Sequence, residues 1–343
     1  MKAIVCQRYG PPEVLQCREV PKPHPRDHEV LIRIRATTVT SADCRVRGLD
    51  MPRGFELLAR LALGFSGPRQ PILGTEFAGD VEAVGARVRR FKPGDAVFAN
   101  IFDQGTGSIA EFAVVPESAA ALKPANLDFV QAASIPMVGL TSWQALKERI
   151  GLRAGQKVFI PAGSGGIGTF AIQLAKLLGA KVGTTTSTGN VDLVRSLGAD
   201  EVVDYKQQEF EKVLRGYDAA LGTVRGDSIE KSIGILKARG KIVSLVGPLD
   251  VAFARARRAN VVLTIVFALM SRRIKRLAKQ QDVDYSFLFA RADGDQLAQI
   301  GKLLETQRIR PVIDRVFPFE QAKEALDYLA LGRAKGKVVV QIR

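Results

Sequence analysis

The sequence predicts an α/β protein in which a doubly wound parallel-sheet domain is joined to a second, mostly β domain. Three observations carry that expectation. The chain has 343 residues, beyond the size at which a single hydrophobic core usually stops growing, so two domains are expected. From about Leu127 onward, short apolar strands alternate with helical stretches, the texture of βαβ units. A glycine-rich turn also stands between one of those strands and an amphipathic helix.

The composition is that of a globular protein. Hydrophobic residues make up 46% and charged residues 25%, enough apolar material for packed cores and too much for a disordered chain. Met1 to about Lys123 reads as short strands between Gly/Pro turns, for example residues 30–35, 77–84 and 95–98. Within this part, residues 54–65 place Phe55, Leu58, Ala59 and Ala62 at helical spacing, a short helix that packs or walls a pocket. The later strands are expected at 157–161, 181–186, 201–205, 218–223, 241–246 and 285–289. A helix is expected at 296–305, and the chain closes with strand, helix and strand.

The first ten residues alternate apolar and polar side chains without a small-residue cleavage site, so no secretory signal is expected. Cys6, Cys17 and Cys44 form an odd set without paired spacing, which fits a reducing compartment and places the protein in the cytoplasm. The net charge of +15 invites an anionic partner, whether a phosphorylated cofactor, a nucleic acid or a membrane surface. Charge alone does not choose among them.

The most informative segment is 157–168, Lys-Val-Phe-Ile-Pro-Ala-Gly-Ser-Gly-Gly-Ile-Gly. An apolar strand runs into glycines and then into a helix marked by Ile167, Phe170, Ala171, Leu174, Ala175 and Leu178, with Gly179 as its stop. In that context Gly163, Ser164, Gly165, Gly166, Ile167 and Gly168 form a turn whose backbone N–H groups, at a helix N-terminus, receive a pyrophosphate. About 20 residues on, where an NAD site offers an acid to the ribose, the chain reads Thr184-Thr-Thr-Ser-Thr-Gly-Asn190. Hydroxyls and an amide accommodate a 2′-phosphate that a carboxylate would repel, so NADPH is the expected cofactor. Asp192, the nearest acid, reads as a first-turn residue of the next helix.

Several further pieces carry a family likeness: Gly74-Thr-Glu-Phe-Ala-Gly79, Val84-Gly85, Phe91-Lys-Pro-Gly-Asp-Ala-Val97, Ala133-Ser-Ile-Pro-Met137, Gly139-Leu-Thr141, Ser196-Leu-Gly-Ala-Asp200 and Gly336-Lys-Val-Val339. With the glycine turn they make the chain resemble the medium-chain dehydrogenase/reductase superfamily, in the zinc-free branch of quinone oxidoreductases, zeta-crystallin-like proteins and 2-alkenal reductases. The resemblance implies a GroES-like catalytic domain from residues 1–125 and 308–343, a Rossmann domain at 126–307, an active site in the cleft, and dimers or tetramers. Zinc-dependent relatives hold their metal with Cys, His and Cys. The matching positions here are Thr40, Thr75 and the segment 137–140, which lack the N/S ligands that catalytic zinc needs. Cys44 lies near the first position without a partner and reads as a packing cysteine; the chain's histidines are His24 and His28.

The same resemblance assigns Thr40, Asp43, Arg47, Thr75 and Thr141 to the catalytic site, with Glu76 beneath it. It points to Ser187, Thr188 and Asn190 at the 2′-phosphate, Tyr205 beside the adenosine ribose, and Val246 and Gly247 at the nicotinamide ribose. Thr40-Ser-Ala-Asp43 departs from the commoner Asn-Pro-x-Asp, which leaves open the group that orients the substrate carbonyl. Asp43 and Glu76 can equally tie turns through backbone N–H groups, and Tyr205 can equally be a packed strand-end aromatic. Oxidising an alcohol calls for a Lewis acid to stabilise an alkoxide. A quinone or α,β-unsaturated carbonyl accepts hydride with hydrogen-bond donors and close positioning alone, so such a small molecule is the expected substrate.

Residues 255–279 set a largely apolar run, 261–270, between basic clusters. The run is too short to span a bilayer. It is expected to wall the pocket and a homodimer interface, with a peripheral membrane helix as the alternative. An alcohol dehydrogenase or ketone reductase, and an NADPH-binding or RNA-binding protein without turnover, are the rival functions. No nucleic-acid motif is present to support the last.

Overall fold

The computed structural model describes residues 1–50, 56–102 and 104–342. The chain forms two compact units, Met1–Leu140 with Arg291–Arg343, and Thr141–Ala290. Residues 126–140 and 291–307, which sequence texture had assigned to the nucleotide domain, therefore belong to the first unit. Phe129–Ala133 is indeed helical, closed by a reciprocal capping box between Asp128 and Gln131, but it packs on strands of the first unit. The helix Gly294–Glu305 does the same. A helical pattern reports that an element has one apolar face, and does not report which sheet receives it.

In the first unit β1 (Lys2–Cys6) pairs antiparallel with β2 (Leu15–Glu19). The main sheet is built on β3 (Glu29–Val39), whose neighbours include β4 (Glu76–Val84), followed by β5 (Ala96–Asn100). β6 (Phe112–Pro116) pairs with the first half of β3, and β7 (Ala120–Leu122) pairs with β5. The expected strands at 30–35 and 77–84 are parts of β3 and β4, and the expected 95–98 overlaps β5 from Ala96. The expected helix at 54–65 is present as Glu56–Leu63; Gly54 and Phe55 lie outside the described residues.

The second unit holds six parallel strands, β8 (Lys157–Ile160), β9 (Lys181–Thr186), β10 (Glu201–Asp204), β11 (Tyr217–Gly222), β12 (Leu236–Ser244) and β13 (Asp284–Phe287). Their order is β10-β9-β8-β11-β12-β13, the Rossmann order, with the direction of winding reversing between β8 and β11. Parallel strands covered on both faces must be apolar throughout, and three of the four residues of β8 are buried. Tyr217 is fully buried beside Phe159, and its hydroxyl is satisfied by donating to Glu201 Oε2 at 2.9 Å.

The chain then returns to the first unit with β14 (Ile313–Pro318) and β15 (Lys337–Gln341); β15 pairs antiparallel with the end of β3, Val338 opposite Val39. That register brings Lys337 to Glu76 at the start of β4. Glu76 is fully buried and accepts from Lys337 Nζ, Thr38 Oγ1 and the Met137 N–H, each at 2.6 Å. A buried ion pair offsets its desolvation only when the remaining lone pairs are satisfied, as they are here. Lys337→Met is expected to cost about 3–5 kcal/mol in urea denaturation because it strands a buried carboxylate. The double variant Glu76→Leu/Lys337→Met is expected to recover most of that loss, and a double variant no better than the single one would refute the pairing argument.

Candidate active site and dinucleotide cradle

β8 ends at Ile160, and the chain turns tightly through Pro161–Gly165 into the helix Gly166–Leu177. Gly163 N–H donates to Thr185 O, Gly165 N–H to Ala162 O, and Ala162 N–H to Thr185 Oγ1. These bonds hold Ala162 in the left-handed region at φ 54. Gly168 is required by contact: a Cβ there would stand 2.4 Å from Ala162 O and 2.7 Å from Gly163 Cα. The first N–H groups of any helix lack intrahelical acceptors, and N-cap Gly165 offers no side chain to cap them. The turn thus presents uncapped donors and the positive end of a helix dipole, which suits a phosphate.

The end of β9 comes to the same place. Thr186 Oγ1 lies 3.0 Å from Ser164 Oγ, and Asn190 Nδ2 donates to Ser164 Oγ at 3.2 Å and to Ser187 Oγ at 3.1 Å. Ser164, Ser187 and Asn190, expected at the phosphates, therefore form one cluster with Thr186. Thr188 turns the other way and donates to Asp204 Oδ2 at 2.6 Å.

Asp204 is a residue that sequence reading missed. The segment 184–190 contains no acid, but parallel pairing sets Asp204 opposite Thr186, so the adjacent strand delivers a carboxylate. The Thr188 hydroxyl, with help from the Lys206 N–H and its charge, holds that carboxyl below the usual range. Tyr205 is 61% exposed, which excludes the alternative of a packed strand-end aromatic. Its backbone N–H donates to Thr186 O.

On the other side of the winding reversal, Thr223 Oγ1 donates to Pro161 O at 2.8 Å, tying the end of β11 to the turn after β8. The Val246–Gly247 turn after β12 is held by Ser244, whose hydroxyl accepts from Val246 N–H and donates to Gly247 O. Gly247 has φ 101, a conformation that side chains rarely adopt. Every dinucleotide residue expected from sequence lies in this one unit.

The catalytic candidates of the first unit divide. Thr40 caps the helix Ser41–Gly48 in a reciprocal box with Asp43: its hydroxyl donates to Asp43 Oδ2 at 2.6 Å while accepting from the Asp43 N–H. Asp43 Oδ2 also accepts the Thr40 N–H, and Oδ1 accepts the Gly74 N–H at 2.8 Å. Asp43 is thus a clamp joining the end of β3 to the segment before β4, and its carboxylate is spent on that role. Burial raises its pKa, opposed by these hydrogen bonds. Thr75, which follows the clamped glycine, is buried, and its hydroxyl has no partner among the described residues.

Arg47 is not brought into this cluster. Its guanidinium is buried 3.7 Å from Asp327 Oδ1, too far for a hydrogen bond. Thr141 is buried at the start of the second unit. Burial pushes the Cys44 thiol up to about 11, and its Sγ faces Leu326 O at 3.7 Å; both fit a packing cysteine.

Comparison with known proteins accords with this geometry. Residues 26–125 match the model described as alcohol dehydrogenase GroES-like domain, and residues 197–340 match zinc-binding dehydrogenase. The NAD(P)H oxidoreductase RTN4IP1, mitochondrial, of Danio rerio is 34% identical over 100% of this chain and 91% of its own length. The NADPH-dependent alkenal/one oxidoreductase, chloroplastic, of Arabidopsis thaliana is 31% identical over 99% of this chain and 79% of its own. The solved quinone oxidoreductase from Coxiella burnetii superposes with a TM-score of 0.84 at 30% identity, covering 100% and 99% of the two chains.

The chain belongs to the medium-chain dehydrogenase/reductase superfamily, in its zinc-free quinone oxidoreductase branch. It is accordingly an oxidoreductase that works with a nicotinamide cofactor. The cradle fits such a group by its donor set: uncapped backbone N–H groups for the pyrophosphate, and a hydroxyl-amide cluster beside it. At the positions where zinc-dependent members of the superfamily carry metal ligands, this reductase has Thr40, Thr75 and residues 137–140. Among the described residues, no group of three or more His, Cys, Asp or Glu is placed to share an ion.

Two outcomes follow from this geometry. Gly168→Ala is expected to lose about 1–3 kcal/mol of stability through overpacking and to weaken dinucleotide binding. Gly189→Ala, where a Cβ meets nothing within 4 Å, is expected to do neither in the same thermal and fluorescence titrations. At a pH of about 8, iodoacetamide is expected to label exposed Cys17 before buried Cys6 and half-buried Cys44, as read by mass spectrometry.

Proposed function

We propose that this oxidoreductase uses NADPH to deliver a hydride to a quinone or an α,β-unsaturated carbonyl compound, without a metal. The observation that carries the cofactor choice is the cluster of Ser164, Thr186, Ser187 and Asn190 at the end of β9, where the segment 184–190 has no acid. Asp204 does not oppose a 2′-phosphate as a free carboxylate would, because it is engaged by Thr188 and by Lys206. Tyr205, exposed beside this cluster, offers a face for the adenosine. A bound NADPH supplies hydride from its nicotinamide ring.

The chain's own residues do the rest. Val246 and Gly247 form a fixed turn for the nicotinamide ribose. Of the two threonines at the positions matching the metal ligands, Thr40 donates its hydroxyl hydrogen bond to Asp43, whereas the Thr75 hydroxyl remains unpartnered among the described residues. Thr75 is thus the donor left to polarise a substrate carbonyl, and Asp43 positions it by clamping Gly74. No side chain is needed as an acid at the carbon left by hydride transfer, because water can protonate it. The proposal extends to a homodimer in the cytoplasm. Free thiols at Cys6, Cys17 and Cys44 support a reducing compartment, although the two named relatives are mitochondrial and chloroplastic proteins.

The test is a panel of quinones, enones, ketones and alcohols with each cofactor. NADPH is expected to exceed NADH in kcat/KM by roughly tenfold or more, the worth of one charge-assisted contact, with quinones or enones turned over best. An NADH preference, or turnover confined to alcohols and ketones, would overturn the reading. Thr75→Val is expected to lower kcat/KM by roughly tenfold, one lost hydrogen bond to developing charge, with NADPH affinity unchanged.

A further inference from the structure

The helix Val261–Gln280 is the longest in the described structure, about 30 Å at 1.5 Å per residue. It is anchored on one side by buried Ser271, Ile274 and Ala278, and capped by Asn260, whose side chain accepts from Leu263 N–H. Its other side is open. Val261, Val262, Ile265 and Leu269 are each more than half exposed. Further along, Arg272, Arg273, Arg276 and Lys279 are exposed as well. At 3.6 residues per turn these eight positions fall within one arc of about 120°, so they make a single stripe, apolar over its first half and basic over its second.

The surroundings sharpen the charge. From Arg255 to Gln281 there are eight Lys or Arg and no Asp or Glu. Of the cations on the helix itself, Arg273 pairs with Glu230 and Lys275 with Asp250. No helix among the described residues is long and apolar enough to cross a membrane. Exposed apolar residues beside exposed cations offer the two attractions, apolar burial and charge, that hold an interfacial helix on anionic lipid.

We infer that this face of Val261–Gln280 docks on the surface of an anionic lipid bilayer, with Val261, Val262, Ile265 and Leu269 entering the headgroup boundary and the basic half meeting lipid phosphates. Charge complementarity selects that occupant. A second copy of the chain is a poor cover: pairing the stripe with itself in parallel sets Arg against Arg, and in antiparallel sets Arg272 and Arg276 against bare valines. A nucleic acid would satisfy the cations and leave the apolar half in water. This inference does not depend on which substrate the enzyme reduces.

The test is co-sedimentation of the full chain with vesicles of phosphatidylcholine alone and of phosphatidylcholine with roughly a third phosphatidylglycerol. Binding is expected only to the second, weakening as salt rises. Each cation near such a surface contributes about fivefold to partition, so Arg272→Ser/Arg276→Ser is expected to lower it about 25-fold. Ile265→Ser/Leu269→Ser is expected to lower it by about tenfold or more through lost apolar burial, with thermal melting showing both variants folded. Absence of wild-type binding to the anionic vesicles would overturn the inference. So would binding that ignores the serine pair at Ile265 and Leu269, which marks plain adsorption of a polycation to any polyanion. A wild-type dimer that dissociates in the Ile265→Ser/Leu269→Ser variant by sedimentation velocity would also overturn it, assigning the face to a second copy.

Discussion

The structure depends first on a backbone contact: the N-terminal turn of Gly166–Leu177 presses against the strand-end turn at Ala162 and Gly163, with no room for a side chain at Gly168. That approach aims uncapped N–H groups along the C-terminal edge of the parallel sheet, and it sets Ser164 where Thr186 and Asn190 reach it. It also fixes Pro161 O where Thr223 ties down the end of β11. Small residues thus do the work of geometry, and hydroxyls do the work of recognition.

The first unit is organised by two buried carboxylates. Asp43 joins the end of β3 to Gly74, and Glu76 joins the start of β4 to Lys337 on the final strand. One is satisfied by N–H and O–H donors and the other by an ammonium with two further donors. Both keep the segment around Thr75 rigid while leaving the Thr75 hydroxyl unspent. A buried hydroxyl without a partner is costly in a resting protein.

Much of this was legible in the sequence because it is local. The strands of the parallel sheet, the glycine turn and its helix are written in apolar runs, Gly spacing and 3.6-residue periodicity, and all appear where expected. What was not legible is non-local. Asp204 meets the dinucleotide cluster only because β10 pairs with β9, a register that no window of sequence contains. Lys337 is one of many lysines until β15 folds back beside β3. The domain boundaries shifted because Phe129–Ala133 and Gly294–Glu305 have the helical texture of the second unit and the packing partners of the first. Asp43 was ambiguous for a related reason: a carboxylate three residues after a threonine is equally a cap or a catalyst until Gly74 N–H is seen to occupy it.

The central claim is that the end of β9 is built to receive a 2′-phosphate. Calorimetric titration of the full chain with 2′,5′-ADP and with 5′-AMP, which differ only by that phosphate, tests it without requiring turnover. Tighter binding of 2′,5′-ADP, reduced by Ser187→Ala/Asn190→Ala, is the predicted result. Equal or weaker binding of 2′,5′-ADP would contradict the account.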